Sequence, residues 1–216
     1  MEVPGGHDNK LGCFIYEVIG TTMLSYAVLI SAGNFIGVVF TLMIALIIGG
    51  PISGGHYNPA VTTAVYLWKG EFGRNLKIFL LYLAAEFIGC LIAVGLYNLV
   101  LFPGSKSSYS EFPPSWIPKL CPEGFTAQGV FTGGCDYSET RARTAFLSQM
   151  ISTFIFTWAI VCTKSHLTTP TQDGFLGCII VALSLMSQIG DATSVGGAAF
   201  NPAVAAAQII VGVSRL

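Results

Sequence analysis

Two short stretches of this chain share one pattern, and they decide its fold. The first is Ser53–Val61 (SGGHYNPAV), and the second is Gly196–Val204 (GGAAFNPAV). Asn is a favourable helix N-cap, and Pro at the first helical position lacks only an N–H that would have no helical partner. Glycines before each Asn allow irregular backbone to pack closely. The pattern therefore predicts two helices that start directly after an asparagine.

Composition places both helices in a membrane protein. Of the 216 residues, 53% are hydrophobic and only 10% are charged, and the mean hydropathy is +0.69. This is the composition of a chain whose main surroundings are a lipid bilayer. The net charge of −1 gives no electrostatic footprint for nucleic acid. The N-terminal residues carry Glu2 and Asp8 ahead of a full-length apolar segment, so we expect a retained helix and no secretory signal.

Five apolar segments are long enough, or nearly long enough, to cross a bilayer at about 20 residues per crossing. They are Leu11–Ser31, Asn34–Gly50, Leu76–Leu101, Arg141–Thr163 and Gly174–Gly190. Pro59–Trp68 and Pro202–Gly212 are too short and are predicted to be re-entrant half-helices. Irregular backbone at membrane depth is tolerated only inside protein or beside a wet cavity. Corresponding interrupted segments in two halves point to a transport site where they meet.

The two halves form an internal repeat. Phe14–Val28 aligns with Phe146–Ile160 at an offset of 132 (146 − 14), and the two asparagines differ by 143 (201 − 58). A repeat with an odd number of crossings in each half must be inverted in the membrane. We therefore expect one all-α transmembrane domain over residues 1–216. Repeat 1 covers about 11–101, a loop covers 102–140, and repeat 2 covers about 141–216. Five full spans are visible and the sixth is missing.

Cysteines and charges give limited information. Cys121 and Cys135 in the long loop form a disulfide if that side is oxidising, or else remain two free thiols. The cysteines show no metal-binding spacing, so we expect no metal and no cofactor. Lysines and arginines divide five against five between the two sides, so the positive-inside rule gives no orientation. The chain has no nucleophile–base pair, so we expect no enzyme. The membrane in which it resides is not indicated.

At this point the sequence resembles the major intrinsic protein family, the aquaporins and aquaglyceroporins. The resemblance rests on the Glu17-x-x-Gly20-Thr21 pattern and on the two Asn-Pro-Ala motifs. It implies a right-handed helical barrel whose half-helices meet head to head, usually four barrels to a tetramer, with both termini in the cytoplasm. The motif residues are then expected at the pore centre: Asn58, Pro59, Ala60, Asn201, Pro202 and Ala203.

The resemblance also places the selectivity constriction, and here the chain departs from the pattern. Family members that conduct usually carry Arg three residues after the second Asn, where this chain has Val204. The other ring positions correspond to Val38, to Ile189 or its neighbour Gly190, and to Ala198. Four small or apolar groups predict a wider and more apolar ring without fixed donors, which can also close by dewetting.

Buried polar residues are expected around the first loop. Glu17 corresponds to a carboxylate that binds loop N–H groups, and its mate in the second half is Gln149. Glu86 stands where the family often has Gln. A carboxylate within the membrane needs a partner or a wet cavity. Glu86 is therefore either part of a proton-sensitive gate or a brace for the loop. His56 is a loop-packing or pore-lining residue, or a pH sensor.

Two functions remain open. The first is a passive channel for water or small neutral solutes such as glycerol or urea, with the two Asn-Pro-Ala half-helices forming the pore centre. The alternative is a non-conducting structural or assembly subunit built on the same fold. In either case we expect a homotetramer or a subunit of a larger membrane assembly.

Overall fold

The computed structural model describes residues 9–31, 35–70, 72–101, 139–165, 167–193 and 199–213. Seven α-helices make up most of these ranges, which contain no β-strand. The helices are α1 (Lys10–Ile30), α2 (Phe35–Ser53), α3 (Pro59–Lys69), α4 (Phe72–Leu101), α5 (Glu139–Lys164), α6 (Gly174–Thr193) and α7 (Pro202–Val213). The predicted all-α class is therefore confirmed.

Four of the helices are long and apolar enough to cross a membrane: α1, α2, α4 and the part of α5 from Arg143 to Lys164. The apolar stretches of α6 and α7, Gly174–Gly190 and Pro202–Val211, are shorter. α4 begins at Phe72, four residues before the predicted start at Leu76. Its first turns are polar, so hydropathy alone marks only the part that follows them.

The half-helices begin where the sequence predicts. The Asn58 side chain caps α3 by accepting a hydrogen bond from the N–H of Ala60 at 2.8 Å. The Asn201 side chain accepts from the N–H of Ala203 at 3.0 Å and of Val204 at 3.3 Å. These bonds use N–H groups that would have no partner inside the helix. α3 ends at Lys69 and is capped by Gly70, whose φ of 67° is the left-handed conformation that glycine adopts without strain.

Helix packing follows the internal repeat. α1 packs on α2 as α5 packs on α6, and α3 contacts α5 as α7 contacts α1. α2 packs against α6, and the two half-helices α3 and α7 touch. Exchanging α1 with α5, α2 with α6 and α3 with α7 therefore preserves these contacts. α4 packs against α1, α3 and α7.

Side chains on the outside of the bundle are largely apolar. Leu99, Phe146 and Phe154 are 74%, 67% and 65% exposed. In water such a surface would be unfavourable, but in a bilayer it faces lipid or another subunit. Polar residues, by contrast, are concentrated inside, where Glu17, Thr21, Ser53 and Glu86 are fully buried.

Candidate pore

The loop between α2 and α3 is held by Glu17 of α1. Its Oε1 accepts a hydrogen bond from the N–H of His56 at 3.0 Å, and its Oε2 accepts one from the N–H of Tyr57 at 2.7 Å. The carboxylate is completely buried. Loop backbone at membrane depth has no water to bind, so these two bonds satisfy N–H groups that would otherwise be costly to bury.

Gln149 of α5 makes the corresponding bond in the second half. Its Oε1 accepts from the N–H of Ala199 at 3.1 Å. Gln149 lies 132 residues after Glu17, and Ala199 lies 143 residues after His56. The bond therefore joins the same pair of positions in both repeats, although only the first repeat uses a carboxylate.

Glu86 of α4 braces the first loop from the other side. Its Oε1 accepts from the N–H of Asn58 at 3.2 Å and from the hydroxyl of Thr62 at 2.5 Å. The Thr62 hydroxyl oxygen also lies 2.9 Å from Nδ1 of His56, a hydrogen bond in which either group can be the donor, according to the tautomer of the imidazole. The buried Nε2 atom of His56 has no hydrogen-bond partner among the described residues.

The two motif asparagines are hydrogen-bonded across the halves. The Nδ2 group of Asn58 donates to the carbonyl of Phe200 at 3.1 Å, and that of Asn201 donates to the carbonyl of Tyr57 at 2.7 Å. Tyr57 and Phe200 each directly precede the opposite asparagine. A side-chain amide carries two N–H donors, so each bond leaves a second N–H on each asparagine.

Tyr57 fixes the loop conformation. It has a φ of 52°, an uncommon value for a residue with a side chain. Its hydroxyl donates to the carbonyl of Ala45 at 2.9 Å. A Cβ atom on Gly20 would collide with its ring, and one on Gly49 would collide with its hydroxyl oxygen. The tyrosine side chain therefore packs into the space left by the missing side chains of these two helix glycines.

A central cavity of about 40 Å³ lies in front of the two asparagines. Its volume is enough for a very small number of water molecules. Asn58, Asn201 and His56 provide its polar lining. The remaining lining is apolar: Leu24, Val28, Val38, Leu42, Phe156, Leu185, Ile189, Phe200 and Val204.

The structure brings together most residues expected from the sequence. Val38, Ile189 and Val204 all line the central cavity, whereas Gly190, the other possibility at its position, is exposed. Glu17, Glu86 and Gln149 contact the loops and do not line this cavity. Ala198, Cys121 and Cys135 lie outside the described residues.

A second, larger space, the mouth cavity, has a volume of about 560 Å³ and lies beside the C-terminal end of α5. Lys164 is part of its wall, and its ammonium group donates to the carbonyl of Gly54 at 2.5 Å. Sequence reasoning did not select Lys164, because its partner is 110 residues away in the chain. It also did not select Leu24 or Phe156, although both belong to the repeat and are 132 residues apart.

Comparisons with known proteins point to one family. Residues 10–214 match the family described as Major intrinsic protein. Aquaglyceroporin-4 of Botryotinia fuckeliana is 28% identical over 167 residues, which are 74% of this chain and 20% of that protein. Glycerol uptake facilitator protein-like 6 of Lactiplantibacillus plantarum is 29% identical over 205 residues, which are 87% of this chain and 83% of that protein.

A third relative, the Glycerol uptake facilitator protein of Bacillus subtilis, is 32% identical over 162 residues. The match covers 74% of this chain and 50% of that protein. The chain thus spans a fifth of the fungal relative and half of the Bacillus one, but most of the Lactiplantibacillus protein. Members of the matched family are channels, which agrees with the expectation that this chain is not an enzyme. The chain belongs to the major intrinsic protein family and is an integral membrane protein with several membrane-spanning helices.

Proposed function

We propose that the protein is a passive channel for water and small neutral solutes, with its pore centre at Asn58 and Asn201. The observation that carries this proposal is the crossed pair of asparagine bonds in front of the central cavity. These bonds hold the N-terminal ends of two half-helices together. They also orient both amides, each of which has one N–H left for a permeating oxygen.

The central cavity suits a hydroxyl group better than an ion. Asn58 and Asn201 can donate to an oxygen, and the Nε2 atom of His56, which has no partner among the described residues, is available for a further hydrogen bond. The rest of the lining is apolar and cannot replace the hydration shell of an ion. Two half-helix N-termini also bring positive dipole ends, each equivalent to about half an elementary charge, to this point. A cation is therefore disfavoured, while water and alcohols are accepted.

The ring formed by Val38, Ile189 and Val204 makes the proposed channel permissive. These side chains carry no donor or charge, and all three are buried beside the cavity. An apolar ring allows the carbon chain of a polyol to pass while its hydroxyls bind the asparagines. The similarity to proteins named as an aquaglyceroporin and as glycerol uptake facilitators supports glycerol-like solutes.

One observation favours the alternative, a non-conducting assembly subunit. Leu46, Ile160 and Val181, which line the mouth cavity, belong to the same buried apolar cluster as the walls of the central cavity. Where these apolar side chains of the cluster narrow the path between the two cavities, the path closes when water leaves it. The two proposed functions share the same fold and differ in whether water fills this apolar part of the path.

We also propose that the chain works as a homotetramer or within a larger membrane assembly. The large apolar side chains exposed on α2 and α5, among them Phe40, Phe146 and Trp158, can cover one another as well as face lipid. Native mass spectrometry from detergent tests this directly. A single-chain species under conditions that preserve other membrane oligomers would contradict it.

Swelling of proteoliposomes tests the channel proposal. Purified protein is reconstituted, and the rates of swelling are compared for water, glycerol and urea. We expect flux of water and of at least one of the two solutes well above that of empty liposomes. Equal rates in protein-containing and empty vesicles, with the protein shown to be folded by circular dichroism, would favour the assembly subunit.

A further inference from the structure

The central and mouth cavities lie along one line between α2, α5 and α6. Each of the three helices contributes one residue to the central cavity and another, four positions away, to the mouth cavity. Residues four apart lie on the same face of a helix, one turn from each other. The pairs are Leu42 with Leu46, Phe156 with Ile160, and Leu185 with Val181. The mouth cavity is therefore the continuation of the pore by one helical turn.

The ammonium group of Lys164 lies at the junction between the two cavities. Its Nζ atom is 3.5 Å, and the Nε2 atom of His56 is 3.7 Å, from the point where a Cβ atom would sit on Gly54. Lys164 lines the mouth cavity and His56 lines the central cavity. The lysine ammonium and the histidine ring therefore lie close together beside one loop residue, Gly54, although they line different cavities.

Lys164 is the one cationic side chain among the described residues that line these two cavities. The one acidic side chain among them is Asp173, whose Oδ1 accepts from the N–H groups of Phe175 and Leu176 at the start of α6. There it is offset by the positive end of that helix. Glu17, whose charge acts on Lys164, lines neither cavity, and its two oxygens are bound to loop N–H groups. A cation entering the pore from the mouth cavity therefore meets the ammonium first.

We infer that Lys164 is the specificity-determining charge that excludes cations at this end of the pore. This rests on the proposed channel function. Its bond to the Gly54 carbonyl holds the ammonium beside the path and also occupies an oxygen that could otherwise bind a dehydrated cation. Neutral solutes experience no Coulomb barrier at this point, so the charge selects without blocking them.

The test measures cation leak and neutral-solute swelling in the same proteoliposomes. Lys164→Met removes the charge at similar length, Lys164→Gln removes it but keeps a donor, and Lys164→Arg keeps it. Lys69→Met is the matched control, because Lys69 is also half-buried but lines neither cavity. Potassium efflux is followed after dilution into potassium-free buffer, and glycerol swelling is recorded in parallel.

We expect Lys164→Met and Lys164→Gln to swell in glycerol as fast as wild type while losing potassium on the order of tenfold faster, since a nearby fixed charge contributes a barrier of that size. Lys164→Arg and Lys69→Met should stay as tight to potassium as wild type. If Lys164→Met does not fold, Lys164→Gln decides. Wild type that conducts solute, with charge-removing variants that remain tight, overturns this inference alone. Wild type that conducts no solute overturns the proposed function and this inference with it.

Discussion

Glu17 and Gln149 occupy equivalent positions in the two repeats, and each accepts a hydrogen bond from the backbone of its own half's loop. The two residues differ in what they can satisfy. Glu17 offers two acceptor oxygens and uses both, for His56 and Tyr57. Gln149 offers one acceptor oxygen, which binds Ala199. The first loop therefore depends on a carboxylate, whereas the second is held by an amide.

Replacing Glu17 by Gln is expected to destabilise the protein by about 1–3 kcal/mol, because one of two buried loop N–H groups would face an NH₂ group. The midpoint of thermal unfolding in detergent, followed by circular dichroism, measures this. Gln149→Glu is the reciprocal control and keeps its acceptor oxygen, so its effect should be smaller. An unfolding midpoint for Glu17→Gln equal to that of wild type would show that the loop does not need both oxygens.

Asn201→Asp tests the crossed bonds. The variant keeps an oxygen for the N–H groups of Ala203 and Val204 but places a second oxygen against the carbonyl of Tyr57. We expect glycerol swelling to fall by about tenfold, which corresponds to the loss of roughly one hydrogen bond. Asn98→Asp, a change on α4 that touches neither cavity, controls for the added carboxylate. Unchanged swelling in Asn201→Asp would separate the asparagine from permeation.

Val204→Arg should convert the ring to a narrower and more polar one. A guanidinium adds bulk, a fixed charge and several donors beside Val38 and Ile189, neither of which offers an acceptor side chain. We expect the ratio of glycerol to water flux to fall, and that of urea to water as well. Val204→Leu supplies bulk without donors and separates the two effects. A ratio that stays constant in Val204→Arg, at equal expression, would remove residue 204 from the constriction.

The surroundings of two helix glycines, Gly20 and Gly95, predict opposite effects for a change to alanine. A Cβ atom on Gly20 would collide with the tyrosine ring, whereas one on Gly95 would meet nothing within 4 Å. Gly20→Ala should destabilise the protein by about 1–3 kcal/mol. Gly95 lies in the C-terminal third of α4 but inside the helix, so Gly95→Ala should stabilise the protein by about 0.5–1 kcal/mol. Unfolding midpoints of the two variants, compared with wild type, check both signs at once.

Local features of the sequence were sufficient for the helices and for the starts of the half-helices. An Asn-Pro pair predicts a helix start from local sequence alone, since the asparagine cap and the fixed φ of proline need no tertiary partner. Long apolar stretches likewise identify spans by length alone. The start of α4 was missed by four residues because its first turns are polar and resemble a loop.

Contacts between distant parts of the chain could not be predicted in the same way. Leu24 and Phe156 line the central cavity, but in the sequence an apolar side chain that lines a cavity resembles one that faces lipid or another helix. The repeat offset of 132 (156 − 24) links the two residues and could have selected them together. The bond of Lys164 to Gly54 has no such local or repeated signal, because position 32 in the first repeat (164 − 132) is Ala.

The crossed asparagine bonds also bear on how the two halves of a duplicated chain can diverge. Each asparagine donates to a backbone carbonyl of the opposite half, so a mutation of either asparagine alters contacts in both halves. The other asparagine makes a different bond and cannot compensate for the loss. The bracing residues serve only their own half and can drift separately. The present sequence shows this difference: the Asn-Pro-Ala-Val tips are identical, while Glu17 is matched by Gln149 and His56 by Ala199. The positions that bond across the two repeats are thus the ones at which neither repeat can take over the role of the other.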